Sequence, residues 1–170
     1  RKQFSDCEIP LSVVTTDLAN GQEVVINQGS IAKAVLASIA IPGLLPPVQY
    51  GNRYLVDGGS SNVTPASVLV KTPSKIIIAV DVSVPPAARF LNKPTLFTTL
   101  VQAYTIIRDQ SLKYQLSQAK VRHKSLIIVR PAFNDIMDTF QFNQVPDFIA
   151  LGEAAMRHSL PTIKRALVKG

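Results

Sequence analysis

The sequence predicts an α/β fold with a mainly parallel sheet, and three observations carry that expectation. Of the 170 residues 46% are hydrophobic, only 17% are charged and 6% aromatic, and Ile, Val, Leu and Ala dominate, a composition suited to buried strands covered by helices. A nearly unbroken apolar run over residues 75–82 and a second one, Leu126-Ile127-Ile128-Val129, have the length of strands buried on both faces. Two segments, 94–119 and the stretch that follows Pro146, repeat apolar residues at intervals of three and four, as helices do. A chain of this length is expected to form one domain, without linker or internal repeat.

Taken in order, Leu11-Ser12-Val13-Val14-Thr15-Thr16 is short and β-branched, and Asn20-Gly21 supplies a turn before Glu23-Val24-Val25-Ile26, so a strand pair is expected. Ser30 is placed to cap a helix that carries Ile31, Val35 and Ile39 on one face and stops at Ile41-Pro42-Gly43. Gly51-Asn52 is a two-residue turn between an extended run ending at Tyr50 and the strand Arg53-Tyr54-Leu55-Val56, whose end presents Asp57 ahead of Gly58-Gly59. Thr64 is read as the cap of a short helix with Pro65 at its first position. In the long helix Phe97, Leu100, Val101, Tyr104 and Ile107 form the apolar face. The last helix places Phe148, Gly152, Ala155, Met156, Ile163 and Leu167 at helical spacing, and Pro161, which has no amide hydrogen, is expected to kink or divide it.

The longest apolar runs fall well short of the roughly 20 residues of a membrane-spanning helix. The opening Arg1-Lys2-Gln3-Phe4-Ser5-Asp6 has no apolar core behind its basic pair and does not read as a secretion signal. A single cysteine, Cys7, fits a reducing compartment, so a cytoplasmic location is expected, with peripheral membrane contact as an addition. The net charge of +7 favours an anionic partner. Arg108, Lys113, Lys120, Arg122, Lys124 and Arg130 stand against one acid, Asp109, and form a candidate patch for anionic lipid; a solvated helix face is the plainer reading of the same residues. No helix-turn-helix cue, aromatic platform or zinc spacing points to nucleic acid.

No metal or cofactor is expected, because His123 and His158 are isolated and Cys7 has no partner at ligand spacing. A nucleophilic serine needs a sharp turn, usually G-x-S-x-G between strand and helix, and no glycine here begins one. The nearest approach is Gly58-Gly59-Ser60-Ser61-Asn62, whose last position is not glycine. Asp57-Gly58-Gly59 by itself is ordinary turn chemistry.

Its surroundings are more specific. The run Ala37-Ser38-Ile39-Ala40-Ile41-Pro42-Gly43-Leu44-Leu45-Pro46-Pro47-Val48, then Tyr54-Leu55-Val56-Asp57-Gly58-Gly59, then Asn62-Val63-Thr64-Pro65 resembles the block around the catalytic aspartate of patatin-like phospholipases. Upstream, Ser12-Val13-Val14-Thr15-Thr16-Asp17-Leu18 and Gly29-Ser30-Ile31-Ala32-Lys33-Ala34-Val35 are similar to the preceding strand and helix of that family. The likeness is dense over residues 9–83 and general from there to about 166. It implies a three-layer α/β/α fold, of which residues 1–170 form the C-terminal part of a single domain. It also implies a serine activated directly by an aspartate, without histidine, to cleave acyl esters of lipids. Asp57 matches that aspartate, and Gly58 and Gly59 match the glycines that turn the chain beside it.

The family's glycine-rich oxyanion loop and its nucleophile precede the strand that starts here near Leu11, and neither occurs in these residues. The chain alone is therefore expected to be inactive, and its partners to be the lipid or acyl-ester substrate and the absent half of the domain or an oligomer. Two other readings share the same residues. One is a non-catalytic lipid- or protein-binding module of the same fold; the other is a nucleotide-binding α/β domain, which no glycine-rich phosphate loop supports.

Overall fold

The computed structural model describes residues 2–83, 86, 94–123, 125–132 and 144–169. They group into two compact units, Arg1–Val63 and Thr64–Gly170, and the fold is α/β.

In the first unit β1 (Val13–Asp17) and β2 (Glu23–Ile26) pair antiparallel across a connection in which Gly21 takes φ +72°, a conformation that costs glycine little and a Cβ-bearing residue more. Strands β3 (Val48–Tyr50) and β4 (Arg53–Asp57) form the hairpin expected at Gly51-Asn52, with Tyr50 opposite Arg53 and Gly51 at φ +60°. Strand β4 then pairs antiparallel with β1, which gives one four-stranded sheet in the order β2-β1-β4-β3. Short hairpins join antiparallel neighbours, and the pairing of β4 with β1 is antiparallel as well, so all three pairings of this sheet among the described residues are antiparallel.

Helix α1 (Ile31–Ser38) begins where expected, with the Ser30 hydroxyl accepting from the Lys33 amide at 3.4 Å. Its inner side differs from the expectation: Ala34 and Ala37 are buried, and Ala40 beyond the helix end as well, whereas Val35 and Ile39 are exposed. Small residues let the helix backbone come close to the sheet, so the alanines, rather than the larger aliphatic side chains, make the seam. Ala34 and Ala37 share a core with Phe4, Ile26 and Leu55. Phe4 reaches that core from a 3₁₀ turn, Phe4–Asp6, in which the Asp6 carboxylate accepts from the Gln3 amide at 2.8 Å.

The second unit contains the parallel pairing, β5 (Ile77–Val80) beside β6 (Leu126–Val129), in register from Ile77 opposite Leu126 to Val80 opposite Val129. Strand β5 is buried on one face only: Ile77 and Ala79 are covered while Ile78 and Val80 are exposed. Helix α2 (Ala66–Val70) starts after Pro65, which occupies the cap position with no side-chain hydrogen bond, so Thr64 is not its cap.

Helix α3 (Leu96–Arg122) opens with a reciprocal pair, in which the Thr95 hydroxyl accepts from the Thr98 amide and the Thr98 hydroxyl from the Thr95 amide. It packs on α2, and it buries Leu112, Leu116 and Ala119 instead of the side that carries Phe97, Leu100 and Ile107. Helix α4 (Val145–Lys169) runs through Pro161 without a division and packs on β6. Ile163 is buried and Phe148, Gly152, Ala155 and Met156 are half-buried along it, while Leu167 faces solvent.

Candidate functional site

Asp57 is the last residue of β4, opposite Thr15 of β1. The chain turns immediately after it into a single 3₁₀ turn, Gly58–Ser60, and the Asp57 side chain caps that turn: its Oδ1 accepts from the Gly59 amide at 2.5 Å. Both backbone groups of the residue are also tied. Its amide donates to the carbonyl of Ala40 at 2.9 Å, and its carbonyl accepts from the hydroxyl of Thr16 at 2.9 Å. Asp57 is half-buried and held at three atoms; the turn engages Oδ1, and among the described residues Oδ2 has no hydrogen-bond partner.

Thr16 lies beneath this turn, buried, in the strand next to β4. Its hydroxyl is 2.8 Å from that of Ser61. A hydroxyl has one proton to give, so donation to Asp57 leaves Thr16 to accept from Ser61. Gly58 is required for a different reason. A Cβ there would overlap the carbonyl oxygen of Val14 and stand 2.8 Å from its carbonyl carbon, and a strand backbone cannot move aside as a flexible side chain can. Val14 also accepts from the Ser38 hydroxyl at 2.8 Å, so α1, β1 and the turn meet at one backbone position. The segment after the turn is drawn back to β2 by a hydrogen bond from the Asn62 side-chain Nδ2 to the Glu23 carboxylate. Ser60, the nearest approach to a nucleophile in the sequence, sits exposed at the end of the turn.

The other end of the sheet has a different character. Asp17, Leu18, Ala19, Asn52, Arg53 and Tyr54 line a depression of about 240 Å³. The carboxylate of Asp17 there accepts from the Ala19 amide at 3.0 Å and faces Arg53 at 3.7 Å. Arg53 precedes Asp57 by four residues in β4, roughly 13 Å along a strand, so the depression is not part of the Asp57 site.

Those cations of the candidate lipid patch that fall among the described residues differ in their surroundings. Arg130 follows β6, and its Nε donates to Asp81 at 2.7 Å. Lys113 pairs with Asp109 one helical turn away at 2.6 Å. Arg108 lies over the ring of Tyr104 at 5.6 Å. Lys120 and Arg122 are exposed in the last turn of α3, where positive charge complements the helix dipole. Lys124 lies outside the described residues. Asp81, which no motif had marked, is buried at the end of β5 and accepts from the amide and hydroxyl of Ser83 at 3.0 and 2.6 Å. Burial by itself pushes its carboxyl up; the Ser83 hydroxyl, the Arg130 guanidinium and the Ser83 amide outweigh burial and hold it below the usual carboxylate range.

The arrangement defines a class: an α/β protein that presents an acid at a strand tip on a Gly-Gly turn. The family model for patatin-like phospholipases matches residues 1–70, a span that includes Asp57 and the whole of its turn. An uncharacterized NTE family protein of Mycobacterium tuberculosis is 44% identical over 68 residues, 40% of this chain and 12% of that protein. A second such protein of the same organism is 36% identical over 75 residues, covering 44% and 21%. Patatin-like phospholipase domain-containing protein 7 of Mus musculus is 34% identical over 83 residues, covering 48% and 6%. The likeness to the patatin-like phospholipase family thus lies in the first 70 residues. The chain spans 6% to 21% of the length of these relatives.

Proposed function

We propose that this chain carries the general base of a lipid acyl hydrolase, with Asp57 acting on a serine supplied from outside these 170 residues. The observation that supports this most is the mounting of Asp57: amide, carbonyl and Oδ1 are each tied, and Oδ2 is left at the tip of a strand within the family match. A base so fixed loses little freedom when it acts, and positioning of that kind contributes to rate.

In the reaction Asp57 takes the serine proton as the serine oxygen attacks the ester carbonyl. The tetrahedral intermediate collapses, the alcohol departs with that proton, and the acyl group remains on serine. Water then attacks the acyl-enzyme while Asp57 accepts its proton; collapse breaks the bond to serine, whose oxygen takes that proton back from Asp57 as the carboxylic acid is released. Gly58 lets the turn lie against the Val14 carbonyl of β1, and the Gly59 amide holds Oδ1, which together fix where the serine meets the carboxylate. The substrate class is an acyl ester of a phospholipid or related lipid, in line with the family.

The test uses the complete protein and a chromogenic acyl ester. Asp57→Asn keeps the shape and an acceptor for the Gly59 amide but removes the base, and kcat is expected to fall by about 10²- to 10⁴-fold. Undiminished turnover in that variant would end the assignment. The alternative, a non-catalytic module of the same fold that binds lipid or protein, draws on the lack of any G-x-S-x-G in these residues. It predicts that the complete protein binds lipid and hydrolyses none of the esters offered.

A further inference from the structure

Helix α3 is apolar on two opposite sides. Leu112, Leu116 and Ala119 are buried on one of them. The other carries Leu100, Ile107, Tyr114 and Val121, which are 60%, 66%, 67% and 78% exposed. From Leu100 onward these residues recur every seventh position, and at about 100° per residue a helix returns to within about 20° of the same direction after seven. They form a single stripe, roughly 32 Å long at a rise of about 1.5 Å per residue.

Cations border the stripe on both sides. Arg108 and Arg122 each follow a stripe residue and so lie about 100° to one side, whereas Lys113 and Lys120 each precede one and lie about 100° to the other. Asp109 is the one acid in the helix. An apolar band between two basic rims is the pattern of a helix lying in the plane of a lipid interface, with its apolar groups below the headgroups and its long cationic side chains reaching back up to them.

We infer that this side of α3 is a docking surface for an anionic bilayer. Two observations favour lipid over a second helix. A coiled-coil seam needs apolar residues at both alternate positions of the heptad, and the positions that follow Phe97 at that interval are Tyr104, Ser111 and Gln118. Two copies of α3 would also bring like-charged rims together, which anionic headgroups would instead neutralise. The helix lies on the membrane rather than through it, since no helix among the described residues is long and apolar enough to cross one. The inference is independent of the role of Asp57.

Flotation of the full-length protein with vesicles tests it. Vesicles of phosphatidylcholine with phosphatidylserine should carry the protein at low salt, and those of phosphatidylcholine alone, or high salt, should carry far less. Leu100→Ser/Ile107→Ser removes two exposed apolar groups and should weaken flotation by roughly a hundredfold, with an unchanged circular dichroism spectrum. Lys120→Gln/Arg122→Gln should weaken it severalfold while leaving the fold and the apolar stripe untouched, so the inference stays open to refutation even if the first variant misfolds. Equal flotation of wild type and variants, indifference to phosphatidylserine, or a stripe variant that alters the oligomeric state but not flotation would overturn it.

Discussion

Thr16 holds the carbonyl of Asp57 with a hydroxyl that solvent does not reach, so deleting that hydroxyl leaves a covered acceptor without its donor. Thr16→Val, which conserves shape, should cost about 1–3 kcal/mol in urea unfolding. Thr16→Ser keeps the donor and gives up one methyl, about 0.8 kcal/mol. Equal stability of the Val and Ser variants would show that the hydroxyl does not secure the turn. At this scale the sequence is legible where the chemistry is local. Asp57 and its glycines stand together in a turn motif, and the Gly51-Asn52 hairpin can be read from two adjacent letters. Thr16 is not legible as part of the site, since its partner lies 41 residues away and a threonine in a strand is ordinary. Asp81 was invisible for the same reason, with Arg130 49 residues distant.

The Asp81 contact joins the ends of two elements, β5 and β6, whose parallel pairing continues through the Asp81 amide to the Val129 carbonyl at 2.8 Å. Because the folded protein holds that carboxyl below its unfolded value of 3.8, the unfolded state takes up the proton first as pH falls. The stabilisation is therefore complete above pH 3.8 and is lost as pH drops through the lower folded value. Asp81→Asn should flatten this acid limb of the stability–pH curve, measured by denaturant midpoints; an unaltered limb would rule the clamp out. Existence and type of the elements could be read from periodicity, but their buried sides could not. A spacing of four marks a face of α1 without saying whether Val35 or Ala34 turns inward, and in α3 both sides are apolar, so the pattern supports either choice. Strand β5 likewise shows an unbroken apolar run whether one face is covered or two.

At the scale of the whole molecule, unit Arg1–Val63 leaves Val35, Leu36, Ile39, Leu44 and Leu45 exposed on α1 and the turn after it. A polypeptide limited to these 170 residues should self-associate through that surface, because large exposed apolar areas seek cover. Light scattering would show it, and a monodisperse monomer at ordinary concentration would contradict it. The α/β class was readable from composition. Two antiparallel pairings of the larger sheet follow from the glycine hairpins, which were themselves visible, but the junction of β4 with β1 was not, because strand order across a sheet is set by contacts between distant segments. The seam of Ala34, Ala37 and Ala40 has a mechanical meaning for the acid it serves. Methyl groups have no rotamers to change, so that layer neither adapts nor absorbs a shift, and the Ala40 carbonyl is a fixed anchor for the strand tip. A single added carbon in the layer would lift the helix and carry that anchor away from Asp57, a disturbance reaching the carboxylate from residues that never touch it.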